Sequence, residues 1–102
     1  MQMHQVSYFL ALCEELNFTR AARRCGISQP SLTTAIGALE RELGGALFNR
    51  TPSIALTGLG RMVRPYLGEI ARNADHVREV ARTLTPNPVA DRSAPQAVGS
   101  SA

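Results

Sequence analysis

The fold is decided by residues 18–37, whose sequence is FTRAARRCGISQPSLTTAIG. Ala22 is small enough to let two short helices cross at close range, and Gly26 is free to take the positive φ that a tight turn requires. Apolar residues on both sides of this turn hold the second helix against the first at a steep angle: Cys25, Ile27 and Leu32. This spacing predicts a helix-turn-helix.

Capping residues predict where the helices of this motif begin and end. Thr19 is expected to cap a short helix over residues 20–25. Ser28 is expected to cap the next helix, with Pro30 in its first turn, where a missing N–H costs little. This longer helix ends at Gly44-Gly45 and has a buried face made of Leu32, Ala35, Ile36, Leu39 and Leu43.

Further elements are predicted before and after the motif. An amphipathic helix precedes it, because apolar residues recur at three- and four-residue steps at Met3, Val6, Phe9, Leu10, Cys13 and Leu16. After the motif, residues 47–50 and 54–56 are two strand-like pieces around Thr51-Pro52-Ser53. This arrangement predicts a small hairpin.

A long helix is predicted from its cap, Thr57, to about Leu84, with Pro65 kinking it near Arg61. Eight positions along it step by four and three residues, and all but one are apolar: Leu59, Val63, Tyr66, Ile70, Asn73, Val77, Val80 and Leu84. We call these positions the seam, because this period is that of a coiled coil. A helix of about 27 residues is about 40 Å long and overshoots the small domain before it. The sequence therefore predicts a homodimer through the seam, with Asn73 fixing its register.

The chain is expected to consist of three regions. Residues 1–57 form the helix-turn-helix domain, and residues 58–84 form the linker and dimerisation helix. From Thr85 on, prolines, alanines and serines prevail and aromatic residues are absent. Such a composition cannot bury enough surface to fold, which predicts a disordered tail over residues 85–102.

Positive charge is concentrated in the first two-thirds of the chain. Residues 1–64 hold seven arginines against four glutamates, whereas residues 65–102 hold four residues of each sign. In a helix-turn-helix the first helix crosses the phosphate backbone and the second enters the major groove. We therefore predict phosphate contacts from Arg20, Arg23 and Arg24, and base or phosphate contacts from Thr33 and Thr34. The alternative is an ordinary solvated face.

Other classes of function have no signal in the sequence. No apolar run is long enough to span a membrane, and the first residues lack the pattern of a signal peptide, so we expect a cytoplasmic protein. Cys13 and Cys25 have neither metal-ligand nor CxxC spacing, and His4 and His76 stand alone. Glu14-Glu15 is expected to point apart and serve solubility rather than catalysis. We expect no enzyme activity, no cofactor and no metal.

Several linked motifs carry a resemblance to a known family. They are residues 17–22 (NFTRAA), 27–33 (ISQPSLT), 39–44 (LERELG), 47–51 (LFNRT) and 55–57 (ALT), followed by Gly60. From about residue 3 to residue 80 the chain resembles the N-terminal domain of LysR-type transcriptional regulators. The resemblance implies a winged helix-turn-helix, mainly α, with three helices and a two-stranded wing before the linker helix. It also implies a bacterial transcription factor that binds an interrupted palindrome in double-stranded DNA as an antiparallel dimer.

The resemblance also implies roles for individual residues. In the recognition helix, 28–43, base- or backbone-facing positions are matched by Gln29, Pro30, Ser31 and Thr33, and a variable reading position is matched by Thr34. Thr19 and Arg20 match the phosphate-facing start of the helix before the turn, which is the second helix of the chain. Arg50 and Thr51 match the base of the wing.

Four departures from the family remove charge from the DNA face. Thr34 and Gly37 stand where the family often has arginine, and Pro52-Ser53 replaces a usually basic wing tip. His4 and Ser7 replace basic residues of the first helix. Because threonine cannot contact guanine in the bidentate way of arginine, we expect weak, salt-sensitive binding.

The family normally continues into a domain that senses a small molecule. In this chain the tail stands where that domain would begin, so we expect no small-molecule effector here, and the resemblance places the protein in the bacterial cytoplasm at the nucleoid. One alternative stays open. The chain could act mainly as a dimerisation partner or antagonist, forming heterodimers with a full-length relative through residues 57–84.

Overall fold

The computed structural model describes residues 1–85. Within them it holds four helices and a two-stranded antiparallel sheet, which confirms the predicted fold class. The elements are α1 (Met3–Glu15), α2 (Phe18–Cys25), α3 (Gln29–Leu43), β1 (Phe48–Asn49), β2 (Ala55–Leu56) and α4 (Gly58–Leu84). None of these helices is long and apolar enough to cross a membrane. Apart from Thr85, the predicted disordered tail, 85–102, lies outside the described residues.

The start of α2 differs from the prediction. Asn17, not Thr19, caps this helix, and its Oδ1 accepts a hydrogen bond of 2.8 Å from the backbone N–H of Arg20. That bond satisfies one of the free N–H groups of the first turn. Thr19 lies inside the first turn of α2, because this helix already begins at Phe18. Asparagine and threonine are both good caps, so residue type alone did not decide between them.

The other helix ends in the motif are confirmed. Gly26 and Gly44 follow α2 and α3 with left-handed φ values of 72° and 84°. Ser28 caps α3, since its Oγ accepts a hydrogen bond of 3.2 Å from the backbone N–H of Ser31. Pro30 lies in the first turn of α3, where no N–H is needed.

The buried face of α1 is shifted from the predicted one. Val6 and Phe9 are buried as predicted, whereas Met3 and Leu16 are exposed. Leu12, which the prediction left out, is fully buried. Leu16 lies just beyond the end of the helix with a left-handed φ of 49°, so the helical period no longer applies to it.

Helices α1, α2 and α3 share one hydrophobic core. Its fully buried large side chains are Val6, Phe9, Leu12, Leu32, Ile36, Leu39 and Leu47. Burial of each such side chain stabilises the fold by about 1.5–3 kcal/mol. Of α2, the small residues Ala21 and Ala22 are buried in this core and Phe18 packs partly against it, so the burial of Ala22 confirms that it is a close-packing position.

The wing is a short hairpin anchored on the core, as predicted. Strands β1 and β2 pair antiparallel, with Phe48 opposite Leu56 and Asn49 opposite Ala55. Two strands alone are marginally stable and need packing behind them. Phe48 supplies it, because its ring is buried and lies 5.6 Å from the ring of Phe9.

The start of α4 is fixed against the strand region. The Thr57 Oγ1 accepts a hydrogen bond of 3.0 Å from the backbone N–H of Gly60 and donates one of 2.6 Å to the carbonyl oxygen of Ala46. A Cβ on Gly60 would lie only 2.3 Å from the carbonyl oxygen of Leu47. Only glycine therefore fits where this helix crosses the backbone.

By internal contacts the chain divides inside α4 rather than at its start. The first unit is Met1–Ala71, and the second begins at Arg72. The first half of α4 belongs to the first unit, because Leu67 is buried in that unit's core. Pro65 lies within α4, and a kink near Arg61 stays a prediction.

The predicted seam of α4 is not uniformly exposed. In the first unit, Leu59 and Val63 are half-buried against that unit's own core, while Tyr66 and Ile70 are exposed. In the second unit the seam residues are all exposed: Asn73, Val77, Val80 and Leu84. Leu59 and Val63 thus pack mainly within their own chain, and the open part of the seam begins at Tyr66.

Candidate nucleic-acid interface

The predicted reading residues all lie at the surface of α3. Leu32, Ala35, Ile36 and Leu39 anchor one side of this helix in the core. The exposed residues between and before them are Gln29, Pro30, Ser31, Thr33 and Thr34. Helix α3 is therefore held rigidly from behind while its N-terminal half presents short polar side chains outward.

A hydrogen bond joins the beginnings of α2 and α3. The Thr19 Oγ1 donates to Gln29 Oε1 at 3.1 Å. Thr19 therefore orients the Gln29 amide, whose NH₂ group donates to no other group within residues 1–85. The two residues, predicted separately as DNA contacts, lie side by side in the structure.

The three arginines of α2 are all exposed, but they differ in their partners. Arg24 Nη2 lies 2.7 Å from Glu14 Oε1, and Arg24 Nη1 lies 3.2 Å from Glu15 Oε2. Arg20 contacts Glu15 as well, through Nε at 3.4 Å from Oε1 and through Nη2 at 3.2 Å from the backbone oxygen. Within residues 1–85, Arg23 has no carboxylate within 4.0 Å.

The prediction that Glu14-Glu15 points apart is wrong. Both carboxylates reach the guanidinium of Arg24, because α1 ends at Glu15 and α2 returns past that end. The hydrogen bonds that Arg24 donates to Glu14 and then to Glu15 stabilise its charged form and raise the pKa of Arg24 above its ordinary value. We call Glu14, Glu15, Arg20 and Arg24 the corner cluster.

Arg50 ties the base of the wing to the helix-turn-helix. Its guanidinium carbon lies 4.7 Å from the centroid of the Phe18 ring, at the start of α2. Its Nη2 lies 3.7 Å from Glu40 Oε1 of α3, and the other Glu40 oxygen accepts a 2.7 Å hydrogen bond from the backbone N–H of Leu47. Thr51 follows as an exposed residue at the beginning of the wing loop.

An open groove of about 560 Å³ runs between α1 and α3. Its walls include His4 and Tyr8 of α1, whose rings lie 5.5 Å apart, and Pro30, Ser31 and Thr34 of α3. His4 is exposed. Sequence reasoning did not place Tyr8 beside the reading residues, since only the packing of α1 on α3 brings them together.

Arg41 is a further exposed cation on α3. A Cβ added to Gly37 would lie 3.5 Å from Arg41 Nη1, so this side chain lies back along the helix over Gly37. Thr33, Gly37 and Arg41 are spaced four residues apart and share one face of the helix. The spacing was visible in the sequence, but it does not show that the arginine folds back towards Thr33.

The two cysteines are poor nucleophiles. Burial raises the pKa of the Cys13 thiol to about 11, and burial also raises the pKa of the half-buried Cys25 thiol. Thiols react as thiolates, so Cys13 is almost wholly protonated near neutral pH, and the thiolate fraction of Cys25 is lowered. Among residues 1–85, no group of three or more His, Cys, Asp or Glu side chains is placed to hold a metal ion.

A family model matches residues 3–61, which span α1, the helix-turn-helix, the wing and the start of α4. Its description is "Bacterial regulatory helix-turn-helix protein, lysR family". The chain belongs to the LysR family.

Known members of the LysR family are similar well beyond the matched motif. IlvR of Caulobacter vibrioides, an HTH-type transcriptional regulator, is 44% identical over 85 residues, which cover 82% of this chain and 29% of IlvR. ClcR of Pseudomonas putida, another such regulator, is 45% identical over 83 residues, covering 80% of this chain and 27% of ClcR. This LysR-family chain thus spans less than a third of the length of either relative.

Solved LysR-family structures share the fold. The DNA-binding domain of BenM, in complex with catB site 1 DNA, matches with a TM-score of 0.79 and 30% identity over 86% of this chain and 100% of that chain. The CbnR DNA-binding domain, also in a DNA complex, gives a TM-score of 0.77 and 33% identity over 82% of this chain and 98% of that chain. The full-length C199D variant of OxyR from Pseudomonas aeruginosa gives a TM-score of 0.80 and 33% identity, over 85% of this chain and 30% of that chain.

Proposed function

We propose that this chain is the DNA-binding part of a LysR-type transcription regulator and binds an interrupted palindrome in double-stranded DNA as a dimer. The observation that carries this proposal is the surface of α3. Its polar N-terminal half is exposed, and its opposite side is locked into the core. The relatives BenM and CbnR, whose structures were solved with DNA, share this fold.

We assign base reading to the N-terminal half of α3. The residues proposed to contact the bases or the backbone beside them are Gln29, Pro30, Ser31, Thr33 and Thr34. Gln29 has its amide oriented by Thr19, so its NH₂ group is preset to donate to a base or phosphate acceptor. A threonine on the groove face can bond a base edge or pack its methyl on thymine.

Backbone contacts fall to α2 and the wing base. The proposed residues are Thr19, Arg20, Arg23, Arg24, Arg50 and Thr51. Arg50 keeps 45% of its side chain exposed although Phe18 and Glu40 hold it, so it can meet a phosphate from a fixed position. Contacts of this kind position the protein without reading sequence.

We assign dimerisation to α4. One helix-turn-helix reads too few base pairs to find a site among the competing sites of a genome, and a two-fold dimer doubles the readout. Tyr66 and Val77 are each 67% exposed, and Leu84 is 76% exposed, which is unusual for large apolar side chains without a partner. We propose that a second copy covers the seam from Tyr66 to Leu84, antiparallel by analogy with the family.

A mobility-shift titration tests this function. The protein is titrated against the DNA upstream of its own gene and against a scrambled duplex of equal length and base composition. We expect the upstream duplex to shift at a lower protein concentration, with binding weakened by added salt. Equal binding to both duplexes, or none at low salt, would contradict the proposal.

The alternative role as an antagonist differs in one respect. An antagonist homodimer would leave both duplexes unshifted, yet it would release a full-length relative from its promoter by exchange through α4. Adding the chain to a preformed complex of that relative with DNA separates the two functions. A ternary or independent complex supports direct binding, and loss of the shifted band supports antagonism.

A further inference from the structure

The corner cluster places two carboxylates on cations that the proposed function assigns to phosphate. Glu14 and Glu15 lie at the end of α1, and both contact Arg24 through separate nitrogens at 2.7 Å and 3.2 Å. Glu15 also contacts Arg20. The free protein therefore already holds anions against two of the three arginines of α2.

The three arginines are not equivalent in this respect. Both Nη atoms of Arg24 lie against a carboxylate, so a phosphate that approaches these nitrogens competes with Glu14 and Glu15 for their N–H donors and is repelled by both carboxylates. Arg20 contacts Glu15 through Nε and Nη2, makes no hydrogen bond through Nη1 within residues 1–85, and keeps 59% of its side chain exposed. Arg23 has no carboxylate within 4.0 Å among residues 1–85.

We propose that Glu14 and Glu15 act as internal competitors of DNA phosphate, so that they lower the electrostatic affinity of α2 and leave Arg23 as its strongest phosphate contact. The proposal rests on the proposed function and adds to it an order in the strength of the phosphate contacts, in which Arg23 is strongest, Arg20 is intermediate and Arg24 is weakest. It assigns the two glutamates a role in binding rather than in solubility. The competition is with any polyanion and not with one base sequence.

The size of the effect follows from the exposure of the pairs. Arg24 and Glu14 keep about half of their side chains exposed, at 47% and 54%. Exposed ion pairs are worth little, because water and salt screen them. Removing one carboxylate should therefore tighten binding by about two- to fivefold at low salt, and this gain should shrink as salt is added.

A double-mutant cycle on a random-sequence duplex tests the competition. Fluorescence anisotropy at low salt gives the dissociation constant for wild type, Glu14→Gln, Arg24→Gln and the double variant. We expect Glu14→Gln to tighten binding by about two- to fivefold. In the Arg24→Gln background the same substitution should have much less effect, because no guanidinium is left there to release.

The matched control is Glu42→Gln. Glu42 contacts the N-terminal ammonium at 3.0 Å instead of an arginine, so this variant makes the same change of charge in the same unit. A gain equal to that of Glu14→Gln would show only a general effect of net charge and would overturn the proposal. Weaker binding by Glu14→Gln would overturn it too, since it would show that the carboxylates position the arginines for phosphate.

Elution from a heparin column separates this inference from the proposed function. Heparin is a polyanion without bases, so the salt at which each variant elutes reports the competition even if no duplex is bound. Later elution of Glu14→Gln than of wild type and Glu42→Gln supports the inference whether or not DNA binding is found. Coincident elution of all three proteins contradicts it, whatever the result on DNA.

Discussion

Arg23 and Thr33 are both exposed, but they lie on different helices of the motif and have different expected effects on DNA binding. Arg23→Ala should weaken binding about equally on all sequences and reduce the slope of log K against log salt by about one unit, because one phosphate contact is lost. Thr33→Ala should instead change the preferred sequence, because it removes about 1–3 kcal/mol of discrimination between bases at one base pair. Titrations on a panel of single-base operator variants at several salt concentrations measure both. The reverse assignment of effects would show that α2 and α3 are placed wrongly on DNA.

Arg41 should behave like a phosphate contact. It lies on the same face as Thr33, with its guanidinium turned back over Gly37. Arg41→Gln should lower affinity on every sequence and reduce the salt slope by about one unit. The control is Arg72→Gln, which removes an exposed arginine from the second unit and should leave the slope nearly unchanged. Equal slopes for Arg41→Gln and wild type would exclude the contact.

Residue types predicted the surface better than they predicted contacts. The proposed reading residues of α3 are exposed as expected, because the helical period separates them from Leu32 and the rest of the core. The contact of Arg24 with Glu14 and Glu15 was not foreseen, since it joins two elements across a corner. Pairing of this kind depends on where two helices meet, and sequence spacing within one helix does not report it.

Gly60 lies where α4 passes close to the backbone at Leu47. Gly60→Ala would place a Cβ 2.3 Å from the carbonyl oxygen of Leu47 and force α4 away from the strand region. We expect a loss of about 1–3 kcal/mol in the free energy of unfolding, measured by urea denaturation. The matched control is Gly58→Ala, where the nearest atom is a flexible Arg61 nitrogen at 4.0 Å. If both variants unfolded at the same urea concentration, the close approach of α4 would be disproved.

At the scale of elements, helix ends were easier to predict than the partners of helix faces. The glycines after α2 and α3 take left-handed φ values as expected, because that conformation favours glycine. The seam of α4 has a single period in the sequence, yet Leu59 and Val63 pack on their own unit while Tyr66 and Ile70 are exposed. An apolar period predicts that a helix face packs against another surface, but it does not tell which surface that is. The burial of Leu67, outside the seam, was missed for the same reason.

For the whole molecule, the proposed function depends on pairing of two chains through α4. Val77 is 67% exposed in one chain, so Val77→Asp costs little there, but it would bury an unpaired charge in the proposed dimer. We expect monomers in sedimentation velocity, with the helical content of wild type in far-UV circular dichroism. Thr83→Asp adds the same charge to an exposed position off the seam and should stay dimeric. A Val77→Asp protein that still sediments as a dimer would place the interface elsewhere.

We propose that two copies of α3 in one dimer read the two halves of one DNA site. Selection of binding sequences from a library of random duplexes by the wild-type protein, followed by sequencing, tests this pairing. We expect enrichment of one short motif present twice, in inverted orientation and with a fixed spacing, as a two-fold dimer requires. Enrichment of a single unpaired motif, or no enrichment over the starting library, would contradict it.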